Sequence, residues 1–296
     1  MSATLARQES RQAKQSRRGY AQVVDLLAKQ PAVVLVDDFH FIDRDIQIDV
    51  APAIKAAVHD GVKFIITVAS HRSDDLERAT DQLTGRVANL DIEPWSRTEL
   101  EEIVFSGFEQ LNAAHDILVP YQLSSEAGGS PQLMQLICLH AAIDQGFEQQ
   151  SPQPKPLHID EASIPNIMKE ASNFTQMKTT ADKMLQGPKS RGTSRDIYEL
   201  KDGTSGDVYY CVAKAIASFE AQLSFTYEQI KDRIERLAST APPGGSIHSC
   251  LAQMSHRTAN PDTGERKVDW DEEKRTFNIV DPYLLFYIRW SSLVSK

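Results

Sequence analysis

The stretch VVLVDDFH at residues 33–40 decides how this sequence is interpreted, because an apolar run there ends in two adjacent carboxylates. Four consecutive aliphatic residues without alternation predict a strand that is buried on both faces, as in a parallel sheet covered by helices. Asp37 and Asp38 then fall at the carboxyl end of the strand, where open α/β sheets form their ligand crevice. Paired acids at that edge can hold Mg²⁺ on a nucleotide and orient a water. The local alternative is that Asp37 begins a turn and Asp38 caps the next helix.

Composition places the chain among ordinary globular proteins. Its 296 residues are 41% apolar and 25% charged, which is enough for about two domains. The absence of a long apolar run and of a secretory signal predicts a cytoplasmic protein without membrane insertion. Three cysteines without a CxxC pair disfavour disulfide and zinc frameworks. The net charge of −9 argues against broad adhesion to nucleic acid. The basic cluster in residues 7–18 is interpreted as a solvated helix face rather than as a nucleic-acid arm.

The first third of the chain alternates between helical and extended patterns. A helix is predicted over residues 5–30, followed by the strand that begins at Val33. Apolar residues then recur every fourth position through a crossover helix that Gly61 ends: Ile46, Val50, Ile54 and Val58. A second buried strand is predicted over residues 63–69 and a third around residues 87–92. Strands that alternate with helices predict a parallel α/β sheet.

From Pro94 onward the pattern is helical. Ser96 and Glu99 form a capping box for a helix that runs to about residue 112. Ser130 is expected to cap a further helix, with Pro131 at its first position. These helices are interpreted as a small lid. Residues 149–156 (QQSPQPKP) have the composition of a linker, and a polar helix is predicted over residues 159–185.

The last ninety residues follow another pattern. Helices are predicted over residues 208–219, 227–237 and 247–256, and a turn at 260–264 separates two short strands. The second of these helices is expected to open with a capping box of Thr226 and Gln229. A final helix begins near Asp281 and is expected to expose five apolar side chains to a partner surface: Leu284, Leu285, Tyr287, Ile288 and Trp290. Three helices and a β-hairpin are the pattern of a winged helix.

Taken in order, these motifs resemble the P-loop ATPases of the AAA+/STAND group. They are VVLVDDFHFI, FIITVASHR, LTGRVANLDIEPWS, GGSPQLMQLICLHAA and FNIVDPYLLFYIRW. The resemblance covers residues 32–146 and 206–294. It implies a partial P-loop NTPase parallel sheet, then an all-α lid and a winged-helix domain. The corresponding boundaries are an N-terminal helix (1–31), the rear of the nucleotide-binding domain (32–94), the lid (95–148), a linker and helix (149–205) and the winged helix (206–296).

The resemblance assigns roles to individual residues. Asp37 would be the Walker B acid that binds Mg²⁺, and Asp38 the residue that polarises the attacking water, where many relatives have glutamate. Ser70 and Arg72 lie where sensor 1 ends its strand, and Arg86 lies in the region of an arginine finger that acts on a neighbouring subunit. The alternative for each arginine is an ordinary surface or loop residue.

Pro131 resembles the proline of the STAND GxP element, which packs near the adenine, although Ser130 and Pro131 also simply begin a helix. Gln132 and Gln135 stand where related proteins have a sensor 2 arginine, which favours a switch over a ring motor. No GxxxxGK[ST] loop occurs in the 296 residues, so the phosphate cradle is missing from this chain. ATP and Mg²⁺ are therefore expected as cofactors only if another segment or chain supplies that half, and whether the chain is an enzyme stays open.

Two further interpretations remain open. The first is a non-enzymatic winged-helix module that binds a protein or DNA, with Arg257, Arg266 and Lys267 as candidate phosphate contacts and a protein partner or self-association favoured. The second, a metal hydrolase built on His40 and His71 beside Asp37, lacks a third ligand at suitable spacing. Cys138, Cys211 and Cys250 lie in apolar helical stretches and are interpreted as core residues.

Overall fold

The computed structural model describes residues 19–39, 42, 44–68, 88–188, 194–260 and 266–294. The chain divides into two compact units, residues 1–93 and 94–296. None of the helices among the described residues is long and apolar enough to cross a membrane.

The first unit contains a two-stranded parallel sheet. Its elements are α1 (19–28), β1 (Val33–Val36), α2 (Arg44–His59) and β2 (Lys63–Ile66). The strands pair from Val33 opposite Lys63 to Val36 opposite Ile66, and α2 connects them, as parallel strands require. The predicted third strand is wrong over residues 88–92, which form no strand. Val87 lies outside the described residues.

The sheet of the first unit is covered on one face only. Val34, Val36, Phe64 and Ile66 pack against buried residues of α1, of α2 and of the segments next to the strands. The opposite face is exposed: Val33 by 52%, Leu35 by 62% and Ile65 by 56%. Because side chains alternate along a strand, helices on one side bury every second residue only. The prediction that both faces of β1 are buried is therefore wrong for this chain.

The crossover helix forms where it was predicted, but its buried face is rotated. Ile46 and Val58 are exposed by 50% and 47%, whereas Gln47, Ala51 and Ala57 are buried. Ile54 lies in both the predicted and the observed face. Small alanines let α2 approach the sheet closely, which the count of large apolar residues does not reveal. Gly61 lies in the loop between α2 and β2 and has a φ of 100°, a conformation that favours glycine.

The first half of the second unit is mostly helical. Its elements are α3 (Arg97–Gln110), β3 (Ala113–His115), α4 (Leu118–Ser124), α5 (Pro131–Asp144), β4 (Lys155–Leu157) and α6 (Ile164–Asn173). The capping box of Ser96 and Glu99 is confirmed, as is the Ser130 cap of α5 with Pro131 in its first turn. β3 and β4 pair in parallel, so the end of the predicted linker is part of a sheet. The predicted helix over 159–185 is instead two, α6 and α7 (Lys178–Gln186).

The second half begins with a short hairpin and continues as a helix and sheet assembly. Its elements are β5 (Tyr198–Glu199), β6 (Ser205–Gly206), α8 (Val208–Ala217), β7 (Ser224–Thr226), α9 (Tyr227–Leu237), α10 (Gly244–Thr258), β8 (Val268–Asp271), β9 (Thr276–Ile279) and α11 (Pro282–Trp290). The last three strands form an antiparallel sheet in the order β7-β9-β8. The capping box of Thr226 and Gln229 is confirmed. The winged-helix identity of this arrangement stays a prediction.

The final helix is a core element rather than a partner surface. Leu284, Leu285 and Ile288 are at most 1% exposed and belong to the core of the second half, while Phe286 belongs to the core of the first half. The expectation of an exposed apolar helix is therefore wrong for these positions. α11 has apolar residues around most of its circumference because it is inserted between two cores.

A buried ion pair connects the same helix to the first half of the unit. Arg289, which is 5% exposed, donates from Nε and Nη2 to the two carboxylate oxygens of Glu126 at 2.7 and 2.8 Å. Its Nη1 donates to the carbonyl oxygens of Ala217, at 2.9 Å, and of Phe219. The indole of Trp290 also donates to Glu126, at 2.7 Å. The guanidinium therefore satisfies the carbonyls at the end of α8 as well as the carboxylate.

Candidate functional site

The two acids of the opening stretch lie immediately after β1, as predicted. Val36 pairs with Ile66 at the end of the two strands. Asp37 and Thr67, which directly follow these residues, are therefore neighbours at the carboxyl edge of the sheet. Both carboxylates are exposed. Asp38 has a φ of 53°, a left-handed conformation that aspartate adopts more readily than most side chains. The backbone therefore departs from the extended conformation of β1 at Asp38.

Hydrogen bonds join the turn after β1 to the end of β2. The hydroxyl of Thr67 donates to Oδ1 of Asp37. The amide of Asp38 donates to that same Oδ1 at 3.1 Å and to the Thr67 hydroxyl at 2.9 Å. Within the part of the chain that the structure describes, the second oxygen of Asp37 and the carboxylate of Asp38 accept no hydrogen bond. The turn therefore fixes one carboxylate oxygen and leaves the others to solvent or to a ligand.

Two further hydrogen bonds hold Phe39, the residue that follows the two acids. The amide of Phe39, whose side chain is fully buried, donates to the carbonyl of Thr67 at 3.0 Å. Gln47 on α2 is 2% exposed and donates from Nε2 to the carbonyl of Phe39 at 3.1 Å. These contacts connect the turn that carries the two carboxylates to the end of β2 and to α2.

The oxygen ligands at this edge suit a hard cation. Mg²⁺ keeps several waters and is commonly bound by one or two carboxylates together with substrate phosphates. Asp37, with Asp38 beside it, supplies that protein share, but neither residue provides amide groups or a cation for the phosphates. No group of three histidine, cysteine, aspartate or glutamate side chains that could hold a metal occurs among the described residues. The described residues of this edge therefore offer carboxylate oxygens and one hydroxyl, a donor set that fits Mg²⁺ but does not by itself enclose it.

Thr67 was not singled out from the sequence. It lies in the mostly apolar stretch KFIITVA, one residue after the end of β2, and threonine is also an ordinary strand residue. The signal that could have identified it is its position as the first polar residue near the end of the second parallel strand. A hydroxyl there faces the carboxylates of the first strand.

Three further site residues from the sequence analysis, Ser70, Arg72 and Arg86, lie outside the described residues. His40 and His71 of the metal-hydrolase alternative lie outside them as well.

Pro131 lies in the second unit, next to a tightly packed glycine pair. The amide of Trp95 donates to the carbonyl of Gly129 at 3.0 Å. Gly129 has a φ of 76°, and a β-carbon added to it would overlap Pro94. A cavity of about 270 Å³ opens beside this contact, lined in part by Trp95, Arg97 and Glu220. The glycine is thus explained by close packing, and Pro131 begins α5 two residues later.

The candidate DNA contacts of the C-terminal segment are engaged within the protein. Arg266 pairs with Asp269 at 2.8 Å, and Lys267 pairs with Asp281 at 3.1 Å. Nε of Arg257 donates to the carbonyl of Lys183 at 3.3 Å. Each cation would have to leave its present partner to reach a phosphate.

The cysteines are buried, as the sequence analysis predicted. Burial raises the pKa of Cys138 to about 12 and the pKa of Cys211 to about 11. Burial also raises the pKa of Cys250 well above its ordinary value. All three are thiols at neutral pH, so they pack as small apolar groups rather than react as nucleophiles.

Comparison with known proteins returns no match: no family model, no curated protein and no solved structure is significantly similar to this chain. The resemblance to P-loop ATPases of the AAA+/STAND group therefore rests on the order of the sequence motifs, and it stays a prediction.

Proposed function

We propose that this chain is the C-terminal portion of an ATP-binding signalling or defence switch of the STAND/AAA+ type, and that it is not an autonomous ATPase. The observation that carries the proposal is the carboxylate turn at the end of β1, which Thr67 fixes from the end of β2. Parallel strands with acids at their carboxyl ends are a common location for Mg²⁺ and nucleotide phosphates.

The proposed division of labour follows from the resemblance to the AAA+/STAND group. Asp37 would hold Mg²⁺ and Asp38 would orient the attacking water. Ser70, Arg72 and Pro131 would contact the nucleotide, and Arg86 would act on the nucleotide of a neighbouring subunit. The β and γ phosphates need backbone amides and a lysine from a GxxxxGK[ST] loop, which another segment or chain supplies.

The exposed face of the small sheet supports this division. Val33, Leu35 and Ile65 leave more than half of their surface in water, although strands of parallel sheets are usually covered on both faces. A segment that contributes the phosphate loop together with its own strand and helix would bury them.

Calorimetry with ATP and Mg²⁺ tests the proposal in two steps. The DNA upstream of Met1 is first read for an in-frame GxxxxGK[ST], and the chain and its extended form are then titrated in parallel. We expect micromolar affinity for the extended form only, because the present residues cannot hold the phosphates. Asp37→Asn should remove the Mg²⁺ dependence, whereas Asp45→Asn, an exposed acid on α2, should leave it intact.

The outcomes of these titrations are distinct. Tight binding by the chain alone contradicts the account of the missing loop. An extended form that does not bind ATP contradicts the proposed function.

A second candidate function is a non-enzymatic winged-helix module that binds a protein or DNA. The order α8, β7, α9, α10, β8 and β9, with the sheet order β7-β9-β8, supports it. The exposed side of α10 presents Ser249, Gln253 and His256, and the nearby cations are engaged, which favours a protein partner. Retardation of duplex DNA that is lost in Arg257→Glu/Lys267→Glu would instead support the DNA form.

A further inference from the structure

An exposed apolar surface bordered by acids lies along α3 and α4, entirely within the second unit. We name it the α3–α4 surface and define it by the following residues. Its apolar members are Phe105, Ile117, Leu118 and Tyr121, which are exposed by 45%, 82%, 60% and 53%. Its acidic members are Glu101, Glu102, Glu109 and Asp116.

Contacts at both ends of the helix pair show that these side chains form one surface. The ring of Phe105 lies 5.5 Å from the ring of His115, just before α4. The guanidinium of Arg97 at the start of α3 lies 4.5 Å above the ring of Tyr121. The two helices therefore run side by side in opposite directions. Leu118 lies on the stretch of α4 between these two contacts.

The charge of this surface is strongly one-sided. Residues 97–121 contain five carboxylates and a single lysine or arginine, Arg97. That guanidinium is already engaged by the Tyr121 ring and lies 3.7 Å from Glu220. Glu101 and Glu109 lie one turn before and one turn after Phe105 on the same helix, so they flank its ring. An apolar centre with an acidic rim suits an amphipathic segment with basic residues.

The chain itself carries a segment of the complementary composition. Residues 1–18 contain five lysines and arginines and one acid, Glu9. Helix α1 follows directly, and its Tyr20, Val23 and Leu26 are exposed by 48%, 53% and 61%. The basic residues and the exposed apolar side chains of residues 1–28 therefore complement the acidic and apolar members of the α3–α4 surface.

We propose that residues 1–28 of a second copy of this chain bind to the α3–α4 surface. Apolar patches of this kind are uncommon on monomeric proteins unless they bind a partner. The proposal does not depend on nucleotide binding.

Sedimentation velocity over a range of concentrations tests the proposal on the full chain. We expect a reversible dimer at low salt whose dissociation constant rises at least about tenfold in 0.5 M salt, because the opposed charges are screened. The triple variant Glu101→Lys/Glu102→Lys/Glu109→Lys should raise the dissociation constant of the dimer by at least the same factor. The matched control is Glu148→Lys/Glu161→Lys/Glu273→Lys, which makes the same charge change at exposed positions elsewhere on the second unit, and it should leave a dimer.

A charge exchange makes the test specific for the partner. Arg7→Glu/Arg11→Glu/Arg17→Glu should likewise raise the dissociation constant at least about tenfold, and mixing this variant with the triple lysine variant should restore a heterodimer. A chain that stays monomeric at all concentrations overturns the proposal, as does a dimer that both triple variants leave unchanged. Leu118→Ser probes the apolar share of the contact, and an unchanged dissociation constant for it also overturns the proposed binding surface.

Discussion

The two units differ in how completely they bury their apolar residues. In the second unit two large cores meet at α11, and the side chains of Leu133, Phe277 and Phe286 are fully buried. Among the described residues of the first unit the buried clusters are small, and Val33, Leu35 and Ile65 leave one face of its sheet open to water. The described part of the second unit therefore buries its apolar residues more completely than the described part of the first.

The candidate carboxylate turn and the larger buried cores therefore lie in different units. The carboxylate turn with its candidate ligands is in the unit with the smaller core. The buried pair of Arg289 and Glu126 is in the second unit, whose candidate site residue is Pro131 rather than a titratable group. The predictions below test this contrast.

The largest effect is expected from the buried ion pair of the second unit. Glu126→Ala leaves the guanidinium of Arg289 buried without a carboxylate, so the free energy of unfolding should fall by about 3–5 kcal/mol. Trp95, Trp270 and Trp290 are the three tryptophans of the chain and all belong to the second unit. Their fluorescence in a denaturant titration therefore reports that unit alone.

Two variants control this measurement. Glu126→Leu/Arg289→Met should recover only part of the loss: it removes the unpaired buried charge, but it leaves the carbonyls of Ala217 and Phe219 and the indole of Trp290 without these partners. Glu220→Ala removes an acid that lies 3.7 Å from Arg97 and is 72% exposed, so it should cost less than about 0.5 kcal/mol. If Glu126→Ala cost as little as Glu220→Ala, the pair would be solvated in solution.

The same substitution at two leucines compares the units directly. Leu133→Ala removes a fully buried side chain in α5 and should destabilise the second unit by about 2–5 kcal/mol. Leu35→Ala removes one that is 62% exposed, so it should change stability by less than about 0.5 kcal/mol. Hydrogen exchange at the amides of β1 and β2 measures the stability change caused by Leu35→Ala. A loss at Leu35 as large as at Leu133 would mean that the exposed face is covered in solution.

Local structure could be predicted from the sequence to a large extent. The caps at Ser96, Ser130 and Thr226 were identified from short-range chemistry, which depends on residues three positions apart. The parallel pairing of the first two strands followed from the helix between them. The position of Asp37 and Asp38 at the strand end was predicted because they directly follow the apolar run of residues 33–36.

Burial could not be predicted in the same way, because it depends on which elements are present as neighbours. Leu35 and Leu285 are both aliphatic, yet Leu35 is exposed and Leu285 is buried. The sequence analysis predicted the opposite for each. Thr67 was missed because its role depends on a cross-strand contact with Asp37 rather than on a motif. Burial and partnership are properties of the assembled tertiary structure.

A third test concerns the acid sensitivity of the second unit. Its Asp202 pairs with Lys214, whose side chain is 4% exposed, at 2.7 Å. The hydrogen bond from Lys214, followed by the one from Thr204, holds the pKa of Asp202 well below its ordinary value of 3.8. Stability from this carboxylate is therefore complete above its ordinary pKa and is lost as the pH falls toward the folded value.

The variant Asp202→Asn tests this pH dependence of the stability. The variant should be less stable than the parent protein at pH 7, and the difference should shrink as the pH falls below about 4. The fluorescence titration above, repeated at pH 7, 5 and 3, checks the trend. Glu199→Gln, at an exposed carboxyl in β5, is the matched control. A constant difference between Asp202→Asn and the parent would contradict the linkage.

The smallest effect is expected at the carboxylate turn of the first unit, where backbone conformation rather than burial is decisive. Asp38 is exposed and has a φ of 53°, so glycine should be tolerated within about 1 kcal/mol. A β-branched residue at this φ is strained, and Asp38→Val should cost about 1–2 kcal/mol. Hydrogen exchange at the amides of Asp38 and Phe39 localises the change. If Asp38→Val were as well tolerated as Asp38→Gly, the left-handed turn would not persist in solution, and the two carboxylates would not be held in place for a metal ion.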